Sequence, residues 1–240
     1  VAEPAQDLPP DPLNTTGKLV TPGELVVLAD FAAKRAAKLS ATIDSLRAGI
    51  EAKATEAAEA LAKADFPRDQ QKVAADKARA KARTEIIAAS SDARWAEIKQ
   101  LVAAAEGLAL TEALYASPQA VLSRAGLGDA RRTDLIKQIG GAGPAEMRQL
   151  AMLAIATKDV VLGAAIQSVN DRLPRRDRPL SSAELAAALV GEETRAVQSA
   201  IAAIKTAAQR AINANREFEA GRVRPVDRVK LALRQPKETT

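Results

Sequence analysis

The sequence predicts an all-helical protein: a long antiparallel, coiled-coil-like, alanine-rich helical hairpin followed by a compact C-terminal multi-helix bundle. Three observations carry that expectation. Alanine supplies 55 of the 240 residues, against 58 for Leu, Val, Ile, Phe, Met, Trp and Tyr together. Alanine loses almost no side-chain entropy in a helix, so this composition favours helices. Aromatic residues make up only 2% of the chain, where strands would draw on aromatic and β-branched side chains. Finally, apolar positions recur at steps of three and four over long stretches, the period of one helix face.

Residues 1–21 form the first expected segment, an extended arm, because Pro4, Pro9, Pro10 and Pro12 lie among small polar residues. The hairpin is expected over 22–107. Thr21-Pro22-Gly23-Glu24 supplies an N-cap hydroxyl, a proline at the first helical position and a carboxylate three residues after the cap. A seam then runs through Leu25, Leu28, Ala32, Ala36, Leu39, Ile43, Leu46 and Ile50 and on to Ala54, Ala57 and Leu61. Phe66-Pro67-Arg68-Asp69 is the expected break, since the residue before proline is pushed out of the helical region. A second helix is expected from about Asp69 to Glu106, with Ala80, Thr84, Ile87, Ser91, Trp95, Ile98 and Val102 on one face and Gly107 as the stop. At 1.5 Å per residue the hairpin would be roughly 60 Å long.

The bundle is expected over 108–221. Glycine and proline divide its first part into short helices at 110–116, 118–125 and 129–139, followed by one helix from Ala145 to about Arg172. That last segment is apolar most of the way round (Met147, Leu150, Leu153, Ile155, Val161, Ala164, Val169) and is the expected buried central helix. Ser181-Ser182-Ala183-Glu184 repeats the capping-box pattern before a short helix, and a longer one is expected over about 193–220. Residues 222–240 form a basic tail in which Pro225 permits a final helix from Val226 to Leu233. No repeat stands out at the periods of about 20 to 50 residues that mark solenoids.

Absences bound the chemistry. With neither cysteine nor histidine, disulfides, thiolate zinc sites and every Ser-His or Cys-His nucleophile system are excluded. Carboxylates remain, but Glu56 and Glu59 fall on an alanine-rich surface face, and Glu192 and Glu193 open a helix, where acids suit the dipole. No catalytic, cofactor-binding or metal-binding residue is therefore assigned, and the chain is expected not to be an enzyme. No stretch approaches the roughly 20 apolar residues of a membrane span; Leu150 to Val169 is interrupted by Lys158 and Asp159. The proline-rich start does not resemble a secretion signal, so the expected location is the cytoplasm or the interior of a virus-like particle.

The formal charge is +5, and residues 205–240 account for it with nine basic and four acidic groups. Arg216, Arg222, Arg224, Arg228, Lys230 and Arg234 are the candidate contacts for phosphates or an acidic partner; the alternative is a solvated helix end. The run Lys77, Arg79, Lys81, Arg83 is not one basic stripe, because two-residue steps on a helix alternate between two sides. Gly126-Leu127-Gly128, followed by Leu135 and Ile136, resembles part of a helix-hairpin-helix element. In that family a glycine turn aims backbone amides at a nucleic-acid phosphate. The resemblance implies Gly126, Gly128 and Arg131 as phosphate contacts, with Arg132 and Lys137 assisting. It covers about 15 residues and departs at Arg132 and Arg124, where the family has small and apolar residues. A plain interhelical turn competes with it.

The expected function is thus that of a non-enzymatic structural or assembly protein that oligomerises through helix packing. The favoured setting is a bacteriophage or phage-like virion component of the internal, ejection-type or connector-associated kind. Leu39, Ile43, Leu46, Ile50, Ile87, Trp95 and Ile98 are the expected oligomer seam. The expected partners are further copies or other structural proteins. Two alternatives are a nucleic-acid-binding protein using the basic tail and the glycine turn, and a scaffold or adaptor of a cellular complex.

Overall fold

The structure, a computed structural model, describes Leu13 and residues 20–221. Among them every regular element is helical. The order is α1 (Pro22–Lys63), α2 (Arg68–Gly107), α3 (Ala109–Leu114), α4 (Pro118–Arg124), α5 (Ala130–Ile139), α6 (Pro144–Thr157), α7 (Val160–Arg172), a one-turn 3₁₀ helix (Arg175–Asp177) and α8 (Ser182–Glu219). Of the expected arm only Leu13, Val20 and Thr21 are described; Leu13 is buried. The tail after Gly221 lies outside the described residues.

The chain divides into two compact units. The first holds Asp30–Ala105 and the described part of 204–240; the second holds Glu106–Ala203 and the described part of 15–29. Helices α1 and α8 contribute residues to both. This grouping differs from the linear division into hairpin and bundle, because the last turns of α8 join the unit that holds most of α1 and α2.

Local chemistry sets the helix ends. The Thr21 amide donates to Glu24 Oε2 at 2.8 Å, and the Glu24 amide donates back to Thr21 Oγ1 at 3.4 Å, completing a capping box. The Glu184 amide likewise donates to Ser181 Oγ at 3.3 Å at the start of α8. The turn at Phe66-Pro67 separates α1 from α2 where the proline rule placed it. Ser117 and Asp129 cap α4 and α5 through the amides of Ala120 and Arg131.

Two expected boundaries are wrong. The helix expected over 145–172 is two helices. Lys158 adopts a left-handed φ of 52° and ends α6, and Asp159 starts α7 by accepting from the Leu162 amide at 3.0 Å. Neither glycine nor proline marks this break, so the apolar period reads straight through it. Conversely, the two helices expected after Ser181 are one 38-residue helix, in which Gly191 is an interior residue.

Within the first unit α2 runs antiparallel to α1. Arg79 Nη2 meets Glu51 at 3.0 Å, the Gly49 position lies 3.9 Å from Ile86 Cδ1, and Arg35 meets Glu97 at 3.4 Å, so rising numbers on α1 face falling numbers on α2. The last turns of α8 join α2 at a buried arginine. Arg94, 1% exposed, donates to Ser90 Oγ, the Ile87 carbonyl, Asn215 Oδ1 and Glu219 Oε1, and its guanidinium lies 4.9 Å from the Phe218 ring centre.

The second unit is organised around α7, which packs against α4, α5 and α6. Its Ala164, Ala165 and Ile166 are buried among Leu122, Ile139, Met147 and the early α8 residues Leu185, Ala186 and Val190. The buried central helix expected over 145–172 is therefore α7 alone. Ile166 has no exposed surface, whereas Leu110 is 60% exposed. Ile166→Ala should lower the unfolding free energy by about 2–5 kcal/mol and Leu110→Ala by at most about 0.5 kcal/mol, measured by denaturant titration; equal effects would contradict this core.

Candidate functional site

Four residues of the expected oligomer seam are buried within the single chain: Leu39, Ile43, Ile50 and Ile98. Leu46 and Ile87 are half-buried, and Trp95 alone among the seven stands at the surface. A helix seam read along a sequence carries no label for which chain covers it.

The glycine turn keeps the left-handed geometry its sequence called for, with φ of 65° at Gly126 and 86° at Gly128. Its surroundings, however, are tied together internally. The Leu127 amide donates to the Arg124 carbonyl and the Asp129 amide to the Gly126 carbonyl, both at 3.1 Å. The Arg131 amide donates to Asp129 Oδ1 at 2.9 Å, and its guanidinium pairs with Asp159. Arg132 is buried, donating to the Ala125 carbonyl at 2.8 Å and to Ser168 Oγ at 2.9 Å. These contacts fit an interhelical turn that joins α4 to α5 and ties both to α7. A phosphate would have to compete for the Arg131 charge. Lys137 pairs with Asp134 at 3.7 Å.

Of the candidate tail cations, Arg216 is exposed on α8, while Arg222, Arg224, Arg228, Lys230 and Arg234 lie outside the described residues. The Lys77–Arg83 run divides as its helical spacing requires. Arg79 pairs with Glu51 and Asp76, and Arg83 donates to the Glu219 carbonyl at 2.7 Å. Lys81, on the other side, is exposed and lies 4.0 Å from Glu85.

Glu56 is exposed and bonded to Lys53 at 2.8 Å, a contact that lowers its pKa, and Glu193 accepts from Tyr115 Oη at 3.3 Å. Burial, then the Glu193 carboxylate, pushes the Tyr115 phenol upward. Among the described residues no group of three or more His, Cys, Asp or Glu is placed to hold a metal ion. No helix among them is long and apolar enough to cross a membrane.

The most distinctive surface is one that sequence reasoning missed: the outer face of α6. The helix buries only Met147, Ala151 and Ala154, a stripe with the i, i+4, i+7 spacing. Met152, Leu153 and Ile155 point the other way and are 72%, 52% and 39% exposed. The sequence carries the apolar pattern all round this segment, and central burial of one helix over 145–172 is what that pattern predicts. The break at Lys158 assigns the central position to α7 and leaves α6 covered on one side. Scattered exposed apolar residues are ordinary, but three bulky ones within four positions form a patch.

No family model, curated protein or solved structure matches the chain.

Asp159 links the turn to α7 electrostatically. Burial pushes its carboxyl up, but bonds from the Leu162 amide and the Arg131 guanidinium outweigh that and hold it below the ordinary aspartate range. A depressed folded value stabilises the fold above the ordinary value of about 3.9, and that contribution is lost as pH falls through the folded value. Asp159→Asn should therefore destabilise the protein at pH ~6 and converge with the parent chain as pH falls below about 4. Urea titrations at several pH values check this; a gap independent of pH would refute it.

Proposed function

We propose that this chain is a non-enzymatic assembly protein that associates with a second copy through the outer face of α6, as a structural component of a larger particle of the phage-like kind. The exposed Met152, Leu153 and Ile155 patch carries this reading. Bulky apolar side chains are scarce here, and covering such a side chain is worth about 1.5–3 kcal/mol, so three together form a surface that gains by being covered.

A second copy is the natural occupant on symmetry grounds. A helix face packed antiparallel against itself buries the same residues on both sides, the arrangement of an isologous twofold contact. The particle setting draws its support from composition: half of the apolar residues are alanine, and the chain lacks histidine and cysteine.

Light scattering of the chain at micromolar concentration tests the reading. The parent chain should be a dimer or larger, and Met152→Lys combined with Leu153→Lys should shift it to monomer while far-ultraviolet circular dichroism stays unchanged. A monomeric parent, or a double variant that associates as before, would sink the proposal.

A further inference from the structure

The second half of α8, from Ile204 to Glu219, lies wholly within the first unit and is covered on one side only. Ile204, Ala207, Ala211, Ala214 and Phe218 are buried at steps of three and four. Lys205, Thr206, Gln209, Arg210, Asn213 and Arg216 stand on the opposite side and are exposed. At about 100° per residue, Lys205, Gln209, Asn213 and Arg216 form one stripe about 17 Å long, with Thr206 and Arg210 along its edge.

The charge on that face is of one sign. No acidic residue lies between Glu193 and Glu217, the widest interval between carboxylates among the described residues. On α1 and α2 exposed cations stand beside acids, as Lys34 does beside Asp30, Lys53 beside Glu56 and Lys81 beside Glu85. Arg210 and Arg216 make no ion pair among the described residues. A helix end attracts cations only over about its last turn, which accounts for Arg216 but not for Lys205 and Arg210.

Two carboxamides sit among these cations. Gln209 Nε2 donates to Asn213 Oδ1 at 2.9 Å. That bond leaves the Gln209 carbonyl oxygen as an acceptor and the Asn213 amide as a donor, side by side on the stripe. Such pairs match the edges of bases in a major groove, which is about 12 Å wide and admits a helix. Forked arginines suit the phosphates on either side. The exposed residues of 202–216 include no aromatic or bulky apolar side chain, the anchor that a protein interface or a membrane surface would use.

We infer that the exposed face of α8 over residues 205–216 binds duplex DNA by entering its major groove, with Lys205, Arg210 and Arg216 on phosphates and Gln209 and Asn213 at base edges. The cations supply affinity that is independent of sequence, and the carboxamides supply discrimination between base pairs. This surface is separate from the outer face of α6, and neither contact requires the other.

Fluorescence anisotropy of a labelled DNA duplex titrated with the full chain at several salt concentrations tests this. Replacing Lys205, Arg210 and Arg216 together by glutamine should lower affinity on the order of tenfold and make the slope of log K against log salt shallower by about 2.7, with circular dichroism unchanged. Arg210→Gln alone should remove about a third of that slope change. Gln209→Ala with Asn213→Ala should keep the slope and narrow the spread of affinities among duplexes of different sequence. A parent chain that leaves the duplex unbound at about 50 mM salt, or a triple variant with the parent's affinity and slope, would overturn the proposal. So would a spread of affinities unchanged by the two alanines. Loss of binding only on replacing Arg222, Arg224 and Arg228 by glutamine would overturn it by moving the contact to another segment. Tighter binding to polyglutamate than to the duplex would do so by making the partner an acidic protein.

Discussion

Close helix contact through methyl-sized side chains is the constraint on which the rest of the structure depends. Ala32, Ala54, Ala82 and Ala104 in the first unit, and Ala151, Ala154, Ala164 and Ala186 in the second, are buried where a bulkier side chain would hold the helices apart. Such contacts let helix axes approach but bury little area per turn, so each seam gains less than a leucine seam of the same length. A seam of identical small residues also has little to define its register. One alanine fits where the next one did, and a slip by one turn costs little.

Buried polar side chains supply the missing definition. Arg94 has donors on both edges of its guanidinium occupied, by Ser90 and Ile87 on α2 and by Asn215 and Glu219 on α8. A slip of α8 would leave a charge nine-tenths buried without partners, a far larger penalty than any loss of methyl contact. Arg132 fixes the end of α4 against α7 in the same way. Asn170 does so between α7 and the start of α8, donating to the Leu180 carbonyl at 3.1 Å and to Ser182 Oγ at 2.8 Å. The apolar contacts give proximity, and these three residues give alignment.

Scarcity of bulky apolar side chains gives those on the surface their weight. A protein with a leucine-rich interior can expose a few without consequence. Here the α6 patch brings exposed Met152, Leu153 and Ile155 together within four positions. The patch lies next to a helix end fixed by a left-handed residue, Lys158. There the chain turns before the apolar pattern of α6 is exhausted, leaving a face that the fold made but did not cover.

The all-helical class and most helix ends were settled by local chemistry, which the sequence records. Thr21 and Ser181 cap through their own hydroxyls, Pro67 excludes helix before it, and the short helices before Gly140 are punctuated by glycine and proline. Two kinds of information were not local. The break at Lys158 uses a residue with no strong preference for the left-handed region, so only the packing of α6 and α7 against their neighbours selects it. The chain that covers a given seam is likewise decided in three dimensions: Leu39, Ile43 and Ile98 have the spacing of an interface between copies, and the fold buries them within one. Periodicity states which face of a helix avoids water, and tertiary contact alone decides what that face meets.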